Sequence, residues 1–191
     1  MDIEIKDWIK RIQSIHLPRY DELPELSLYL DQVLEYVNDN IGIIFINQDE
    51  SNGKVITASM INNYVKNNIM PAPVKKRYSK DHIAFIITIT ILKLIGNLND
   101  VSQGIIHLTS VLGKVDAYNA FISFLENALK STIMEIEQTP DMSYFQTPVD
   151  MNLLPLKSAT IAFASIMMSQ YLLKKIPKGE FKNDWKNCST C

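Results

Sequence analysis

The chain of 191 residues has little cysteine and little glycine. Its two cysteines, Cys188 and Cys191, both lie in the last four residues, which excludes a disulfide-stapled secreted scaffold and favours a reducing, intracellular setting. With only six glycines the sequence has no glycine-rich phosphate loop, and it also lacks a nucleophile elbow and a motif of paired catalytic carboxylates. We therefore expect neither an enzyme nor a bound cofactor.

Long hydrophobic runs are missing as well. The N-terminal segment MDIEIKDWIKRIQ has no apolar core of the kind that a signal peptide needs, so we expect a cytoplasmic protein. The most apolar stretch, residues 159–173, includes Ser165, Ser169 and Gln170 and is shorter than the roughly 20 apolar residues of a membrane-spanning helix. This stretch predicts a buried core helix, and a tail anchor is the alternative.

The overall composition is that of a globular protein of one domain or two small ones. Hydrophobic residues make up 47% of the chain and charged residues 21%, which excludes a disordered chain. The formal net charge of −2 excludes a uniformly basic nucleic-acid coat but is compatible with a local basic patch.

Hydrophobic periodicity and capping residues predict an all-α protein. A β-like run at 43–46 and an extended basic segment at 74–78 interrupt the helical pattern. The middle of the segment 80–95, IAFIITITIL, is β-branched and apolar all round, and the cap Ser79 and the length of the segment favour a buried helix over a buried strand. The predicted helices span residues 3–16, 27–40, 57–67, 80–95, 99–112, 116–138 and 156–176.

Charge is distributed unevenly along the chain. Residues 51–80 contain six basic and no acidic residues, a net charge of +6, whereas residues 19–50 contain eight acidic residues and one basic residue, a net charge of −7. A run such as KKR at 75–77 is often a solvated turn. The predicted helix 57–67 beside it favours a second interpretation, a nucleic-acid surface.

That helix has one polar face without a carboxylate. At about 100° per residue, Ala58, Ile61 and Val65 cluster on one side, flanked by Met60 and Tyr64. The opposite side carries Ser59, Asn62, Asn63 and Lys66. Asparagine can bond an adenine edge in the major groove, and serine and lysine suit bases or phosphates. The alternative is an ordinary polar surface.

The stretch ITASMINNYVKNNIMPAPVKKRYSKDHIAFI, residues 56–86, resembles the winged helix-turn-helix of the MerR-type transcription regulators. Residues 60–64 fall on that family's T-I-R-Y-Y, residues 68–71 on its G-L-L-P, and residues 77–79 on the R-x-Y-S of its basic wing. Asn68 replaces the family glycine, and asparagine tolerates the left-handed conformation better than most residues. Asn62 and Asn63 stand where the family has arginine and tyrosine.

The combination of LPRYDELPELSLYLDQVLEYV with that stretch is similar to a bacterial domain-of-unknown-function family, number 1836, which brings no established activity. The MerR resemblance supplies the expected architecture. It implies an all-α fold with a small two-stranded β wing, in which residues 1–25 form an N-terminal helix and turn and residues 26–110 form the winged helix-turn-helix. Residues 111–191 would form a helical part that dimerises and has an unknown small-molecule effector, if any.

The resemblance implies a DNA-binding transcription regulator that acts on double-stranded DNA as a homodimer. Helix 57–67 would enter the major groove, and the wing would hold phosphates. The expected contact residues are Thr57, Ser59, Asn62, Asn63, Tyr64, Lys66, Lys75, Lys76, Arg77 and Tyr78. The alternative is a non-enzymatic protein-interaction module whose basic strip docks an acidic partner.

Metal and redox chemistry have little support in the sequence. The three histidines, His16, His82 and His107, are isolated from one another, and we interpret each as structural. Cys188 and Cys191 form a single C-x-x-C, which supplies two ligands where a structural zinc site needs four. We expect no metal site.

Overall fold

A computed structural model describes residues 3–45, 54–139 and 147–175. Over these ranges the all-α prediction is confirmed, and the predicted helices begin and end within a few residues of the observed ones. The helices are α1 (Ile3–Gln13), α2 (Leu30–Ile41), α3 (Ala58–Lys66), α4 (Lys80–Leu92), α5 (Leu98–Leu112), α6 (Lys114–Ile136) and α7 (Leu154–Lys175). Two short 3₁₀ segments, Tyr20–Glu22 and Gly42–Ile44, complete the regular structure.

No residue in the described ranges belongs to a β-strand. Residues 43 and 44 of the β-like run predicted at 43–46 lie instead in the 3₁₀ segment Gly42–Ile44, in which Phe45 N donates to Gly42 O, and residue 46 lies outside the described residues. At the expected wing, the antiparallel pairing between described residues is limited to two isolated bridges, Leu28–Tyr78 and Val74–Arg77. The described residues therefore do not form the predicted two-stranded wing, and a tight turn stands at its expected position.

Helix α4 is the central element of the fold. Its residues from Ile86 to Leu92 are all buried, which confirms the prediction of a buried helix. Helices α2, α5, α6 and α7 pack around it. The hydroxyl of Thr88 donates to Ala84 O at 2.9 Å, so this polar group is satisfied within the helix itself.

Helices α6 and α7 form the longest packed pair, and α1 covers them. Phe121 of α6 and Phe163 of α7 are fully buried, and the ring of Phe45 meets Phe163 edge-on with centroids 5.6 Å apart. The ring of Trp8 in α1 stacks on Tyr171 of α7 at 5.1 Å. The stretch 159–173 is thus part of a core helix.

The segment between α1 and the first 3₁₀ turn is held on α6 by a buried carboxylate. Glu126 accepts a hydrogen bond from Leu17 N at 3.0 Å and an ion-paired one from Arg19 Nη2 at 2.7 Å. Tyr118 also donates from its hydroxyl to Pro18 O at 3.0 Å. These bonds fix the path by which the chain enters α2.

The buried side chains form one continuous cluster that contains residues from every helix, α1 and α7 included. The three predicted segments 1–25, 26–110 and 111–191 therefore share one core. In the described ranges, no helix combines the length and the apolar character needed to span a membrane.

Candidate nucleic-acid interface

The segment that leads into α3 is anchored by Asn38 of α2. The side-chain oxygen of Asn38 accepts hydrogen bonds from Val55 N at 2.7 Å and Ile56 N at 3.2 Å, and its Nδ2 donates to Ile56 O at 3.2 Å. Lys93, which follows α4, adds a bond from Nζ to Val55 O at 3.1 Å, and burial lowers the pKa of this lysine. The start of α3 is thereby held between α2 and α4.

Helix α3 begins at the predicted N-cap, Thr57. Its hydroxyl oxygen accepts from Met60 N at 3.4 Å, and it also bonds the hydroxyl of Ser59 at 2.9 Å. Thr57 is half-buried and engaged in the cap. Its role is to start the helix, and it offers less to a ligand than the residues that follow.

One side of α3 is buried and the other faces solvent, as the periodicity predicts. Ile61 is fully buried, whereas Ser59, Asn62, Asn63 and Lys66 are all exposed. We call these four residues the polar face of α3. Asn67 Nδ2 donates to Asn63 Oδ1 at 2.7 Å, so the oxygen of Asn63 is engaged within the helix end while Asn62 has no such bond among the described residues.

Helix α3 ends in a Schellman motif centred on Asn68. Asn68 has a left-handed φ of 55°, Ile69 N donates to Tyr64 O at 2.9 Å, and Asn68 N donates to Val65 O at 3.1 Å. Asn68 thus adopts the left-handed conformation that asparagine tolerates better than most residues. The motif turns the chain sharply towards Pro71.

Residues 74–77 form a tight turn that we call the basic turn. Arg77 N donates to Val74 O at 2.9 Å, and both central residues are left-handed, with φ of 49° at Lys75 and 61° at Lys76. Positive φ at both central positions is the pattern of a type I′ turn, which normally selects asparagine and glycine. Two lysines here carry a strained backbone and place both cationic side chains, which are exposed, at the tip.

Arg77 is fixed against Tyr29, a residue that the sequence did not single out. The guanidinium carbon lies 4.3 Å from the centroid of the Tyr29 ring, Nη2 donates to the Tyr29 hydroxyl at 2.9 Å, and Nη1 donates to Ser27 O at 3.3 Å. Arg77 therefore uses N–H groups of both terminal nitrogens for hydrogen bonds within the protein. Tyr29 falls within the predicted helix 27–40, whereas the structure places it at the N-cap of α2.

Two of the expected contact residues lie in the core. Tyr64 is 2% exposed and Tyr78 is 4% exposed, and burial raises the pKa of both phenols. Tyr78 pairs through its backbone with Leu28, and its ring meets that of His82 edge-on at 5.8 Å. Their predicted contact with DNA is corrected to a packing role, because neither ring has a free surface.

The cations near α3 differ in how far they are neutralised. Lys80 forms an ion pair with Glu25 and also donates to Asp21 O at 3.4 Å. The ion pairs between described residues do not involve Lys66, Lys75, Lys76 or Arg77. These four basic residues are the ones that can attract an anionic partner.

The acidic residues of α2 lie on a separate surface. Asp31, Glu35 and Asp39 are exposed and recur at intervals of four residues, which places them in one stripe along α2. Each helix of the α2–α3 pair thus exposes a different kind of surface, acidic on α2 and amide-rich and basic on α3.

The histidines do not form a metal site. His16 bonds Glu22 at 3.0 Å, and His82 Nδ1 bonds the hydroxyl of Ser79 at 2.7 Å at the start of α4. Among the described residues no cluster of three or more histidine, cysteine, aspartate or glutamate side chains could hold a metal ion. Cys188 and Cys191 lie outside the described residues.

Comparison with known proteins gives a family but no activity. No curated protein and no solved structure matches the chain. A family model described as "Domain of unknown function (DUF1836)" matches residues 18–130, a segment that runs from the entry into the first 3₁₀ turn to the last part of α6 and includes α3 and the basic turn. The chain therefore belongs to the domain-of-unknown-function family DUF1836.

Proposed function

We propose that this protein is a DNA-binding transcription regulator, in which α3 enters the major groove and the basic turn contacts the flanking phosphates. The proposal treats α2, α3 and α4 as a MerR-like winged helix-turn-helix whose wing is shortened to the turn at 74–77. The observation that carries it is the solvent-exposed polar face of α3, which contains amides, a hydroxyl and an ammonium but no carboxylate.

The chemistry of this face suits base edges. The amide of Asn62 can donate to and accept from the edge of adenine in the major groove, and a serine hydroxyl such as that of Ser59 can bond either kind of group. Carboxylates on this face would repel the phosphate backbone, so their absence favours contact with a duplex. One lone pair of the Asn63 side-chain oxygen is used by Asn67, so Asn63 offers a base its amide nitrogen and one remaining acceptor position.

The basic turn supplies binding without sequence preference. Lys75 and Lys76 project from the left-handed tip, and Arg77 retains N–H groups beyond those used on Ser27 and Tyr29. Contacts with phosphates position a protein on DNA, and contacts with bases specify the sequence. The two elements divide these tasks between them.

The proposal includes a homodimer on a two-fold symmetric site. Two copies of α3 would then meet half-sites about one helical turn apart, and the role is non-enzymatic.

Salt dependence tests the proposal directly. Four cations, Lys66, Lys75, Lys76 and Arg77, each meeting one phosphate, predict a slope of log affinity against log salt of about −4 per protomer, at about −0.9 per phosphate. The measurement is fluorescence anisotropy of labelled duplexes selected from randomised DNA. Lys75→Ala with Lys76→Ala should weaken binding to all sequences by about 50-fold at 0.1 M salt and reduce the slope by about 2.

The matched control is Lys10→Ala with Lys130→Ala, which removes two exposed lysines from α1 and α6 and should leave the slope unchanged. Asn62→Ala should relax the preference at one base pair and cost about 1–3 kcal/mol on the preferred site. Absence of any duplex binding by the wild-type protein at low salt contradicts the proposal.

The second candidate is the protein-interaction module, which the acidic stripe on α2 favours. Asp31, Glu35 and Asp39 could bind the basic turn of another copy. Within one chain, Glu25 of the acidic segment 19–50 already forms an ion pair with Lys80 of the basic segment 51–80. Salt-sensitive self-association without duplex binding, weakened by Glu35→Gln, would support this candidate over the regulator.

A further inference from the structure

A large cavity lies between α4, α5 and α6, and its volume is ≈ 1170 Å³. The C-terminal end of α3 and the beginning of α7 complete its wall. Binding pockets for drug-sized molecules have volumes of about 300–1,000 Å³, so this space is large enough for a ligand. The space is partly open to solvent, so a ligand can enter it.

The buried part of the wall is apolar. Met70 from the segment after α3, Leu108 of α5, Phe121 of α6 and Leu156 of α7 are all less than a tenth exposed and all line the cavity. Phe85 of α4 lines it as well and is half-buried. These side chains come from five different parts of the chain, so the wall is concave and does not belong to one helix face.

Three hydroxyl groups in the wall bond to the protein itself. The hydroxyl of Thr88 donates to Ala84 O at 2.9 Å, that of Ser102 donates to Ile69 O at 2.9 Å, and that of Tyr118 donates to Pro18 O at 3.0 Å. Their single protons are thereby used. His82 differs from them, because it also lines the cavity and its Nε2 is buried without a hydrogen-bond partner among the described residues. The buried wall thus offers a ligand a largely apolar surface with one unpartnered ring nitrogen.

Three ionisable groups at one end of the cavity bond to one another. Asp81 accepts hydrogen bonds from the Tyr20 hydroxyl and from Lys114, and both partners line the cavity. Burial, together with the neighbouring carboxylate, raises the pKa of Tyr20 to about 12, so its hydroxyl keeps the proton that it donates. The charges of Asp81 and Lys114 offset each other, so this pair does not favour a charged ligand.

We propose that the cavity is a binding site for an uncharged, mainly apolar small molecule, of the class of aromatic rings and short alkyl chains with at most one hydrogen-bonding group, which can meet His82 Nε2. An extended peptide is a poor occupant, because its backbone N–H and C=O groups would be buried without partners. A charged ligand would lose its hydration without gaining a counter-charge. An apolar molecule loses neither and removes apolar wall from water.

The site stands apart from the proposed DNA contacts, although one part of the wall is shared. Val65, Asn68 and Ile69 line the cavity and also form the Schellman end of α3. An occupant would therefore pack against the helix whose opposite side carries the polar face. The proposal concerns occupancy alone and does not depend on DNA binding.

Fluorescence titration with N-phenyl-1-naphthylamine, an uncharged apolar probe, tests the proposal on the full chain. We expect saturable binding with one probe per chain. Ala159→Phe places a ring on the α7 wall and should weaken binding about tenfold, and Phe85→Ser should weaken it severalfold by removing apolar wall. Ala120→Phe is the matched control, since Ala120 is also half-buried in a helix but does not line the cavity; it should leave binding unchanged.

Thermal unfolding of each variant checks that it folds, and the two wall variants provide independent readings. The proposal is supported if probe binding is saturable, is weakened by Phe85→Ser and by Ala159→Phe, and is unchanged by Ala120→Phe. Probe binding that is not saturable, or is equal in all variants, overturns it. Probe binding that appears only when a dimer dissociates on dilution also overturns it, because a second copy would then be the occupant.

Discussion

The guanidinium of Arg77 lies over the ring of Tyr29, 4.3 Å from its centroid, and so joins the basic turn to the residue that precedes α2. The two residues are far apart in the sequence, and the contact fixes the turn on the α2 side of the protein. An exposed cation–π contact contributes about 0.5–1 kcal/mol, and the bond to the Tyr29 hydroxyl adds a similar amount.

This contact predicts a measurable coupling between the two side chains. Arg77→Ala should lower the free energy of unfolding by about 1 kcal/mol, and Tyr29→Phe should lower it less, because the ring remains. Urea denaturation of Arg77→Ala, Tyr29→Leu and the double variant gives the coupling energy. Strictly additive effects would show that the contact contributes nothing to stability.

The left-handed tip of the basic turn predicts opposite effects on stability and on DNA binding. Replacing Lys75→Asn and Lys76→Gly together supplies the residues that a type I′ turn favours, so the free energy of unfolding should rise by about 1 kcal/mol. DNA affinity should fall, because two cations are lost. Chemical denaturation and duplex titration on the same preparation measure both effects.

Lys75→Ala with Lys76→Ala serves as the control for that experiment, since it removes the charges but keeps the unfavourable backbone. A gain of stability in the alanine variant equal to that of the asparagine–glycine variant would attribute the gain to charge removal and contradict the strain argument.

The left-handed backbone at Asn68 predicts that two substitutions at this position change the free energy of unfolding by different amounts. Asn68→Ala should lower the free energy of unfolding by about 1 kcal/mol, because alanine disfavours the observed φ of 55°. Asn68→Gly should change it by less than about 0.5 kcal/mol, since glycine adopts this conformation freely but costs more chain entropy. Equal effects of both substitutions in urea denaturation would contradict the left-handed assignment.

The ion pair between the buried Glu126 and Arg19 predicts that the conservative substitution Glu126→Gln lowers the free energy of unfolding. Glu126→Gln removes the charge that pairs with Arg19 Nη2, whose neighbour Nη1 is already buried without a partner. We expect a loss of about 2 kcal/mol in the free energy of unfolding. Glu137→Gln, an exposed site near the end of α6, is the control and should have little effect.

Asp81 predicts a loss of stability in acid. Burial works against its ionisation, but hydrogen bonds from Lys114 and Tyr20 outweigh it, so the pKa of this carboxyl lies below its usual 3.8. The unfolded chain therefore takes up the proton at a higher pH than the folded protein does, and this contribution to stability, complete above about pH 5, is lost as the pH falls through the folded pKa.

Denaturation curves between about pH 5 and pH 3 measure this effect. The stability of Asp81→Asn should depend less on pH than that of the wild type, and Asp39→Asn, which removes an exposed carboxylate of α2, should follow the wild type. Parallel curves for the wild type and Asp81→Asn would contradict the assignment.

Local patterns were sufficient to predict the helices and the exposed side of α3. Thr57 caps α3, Ile61 is buried and Asn62 is exposed, because helical periodicity and capping act over a few residues. The expectation for Asn68 came instead from the resemblance, in which asparagine stands at a family glycine. Local reasoning was wrong for the described part of the run at 43–46, where β-branched side chains favour a strand but no strand in the described part of the chain pairs with it.

The details of the candidate interface depend on contacts between distant residues, and the sequence did not predict them. Tyr64 flanks the apolar side of α3, and only the packing of the whole core decides that its ring is buried. The engagement of Arg77 by Tyr29 joins residues almost fifty positions apart. The cavity likewise arises from the way four helices meet, for which no single segment carries a pattern.

The segment matched by the family model ends at Lys130, within α6, and does not include α7, although α7 packs along α6 and buries Phe163 against this core. The shared segment is therefore incomplete as a packing unit. The residues that the family model matches would leave this side of α6 uncovered if they stood alone.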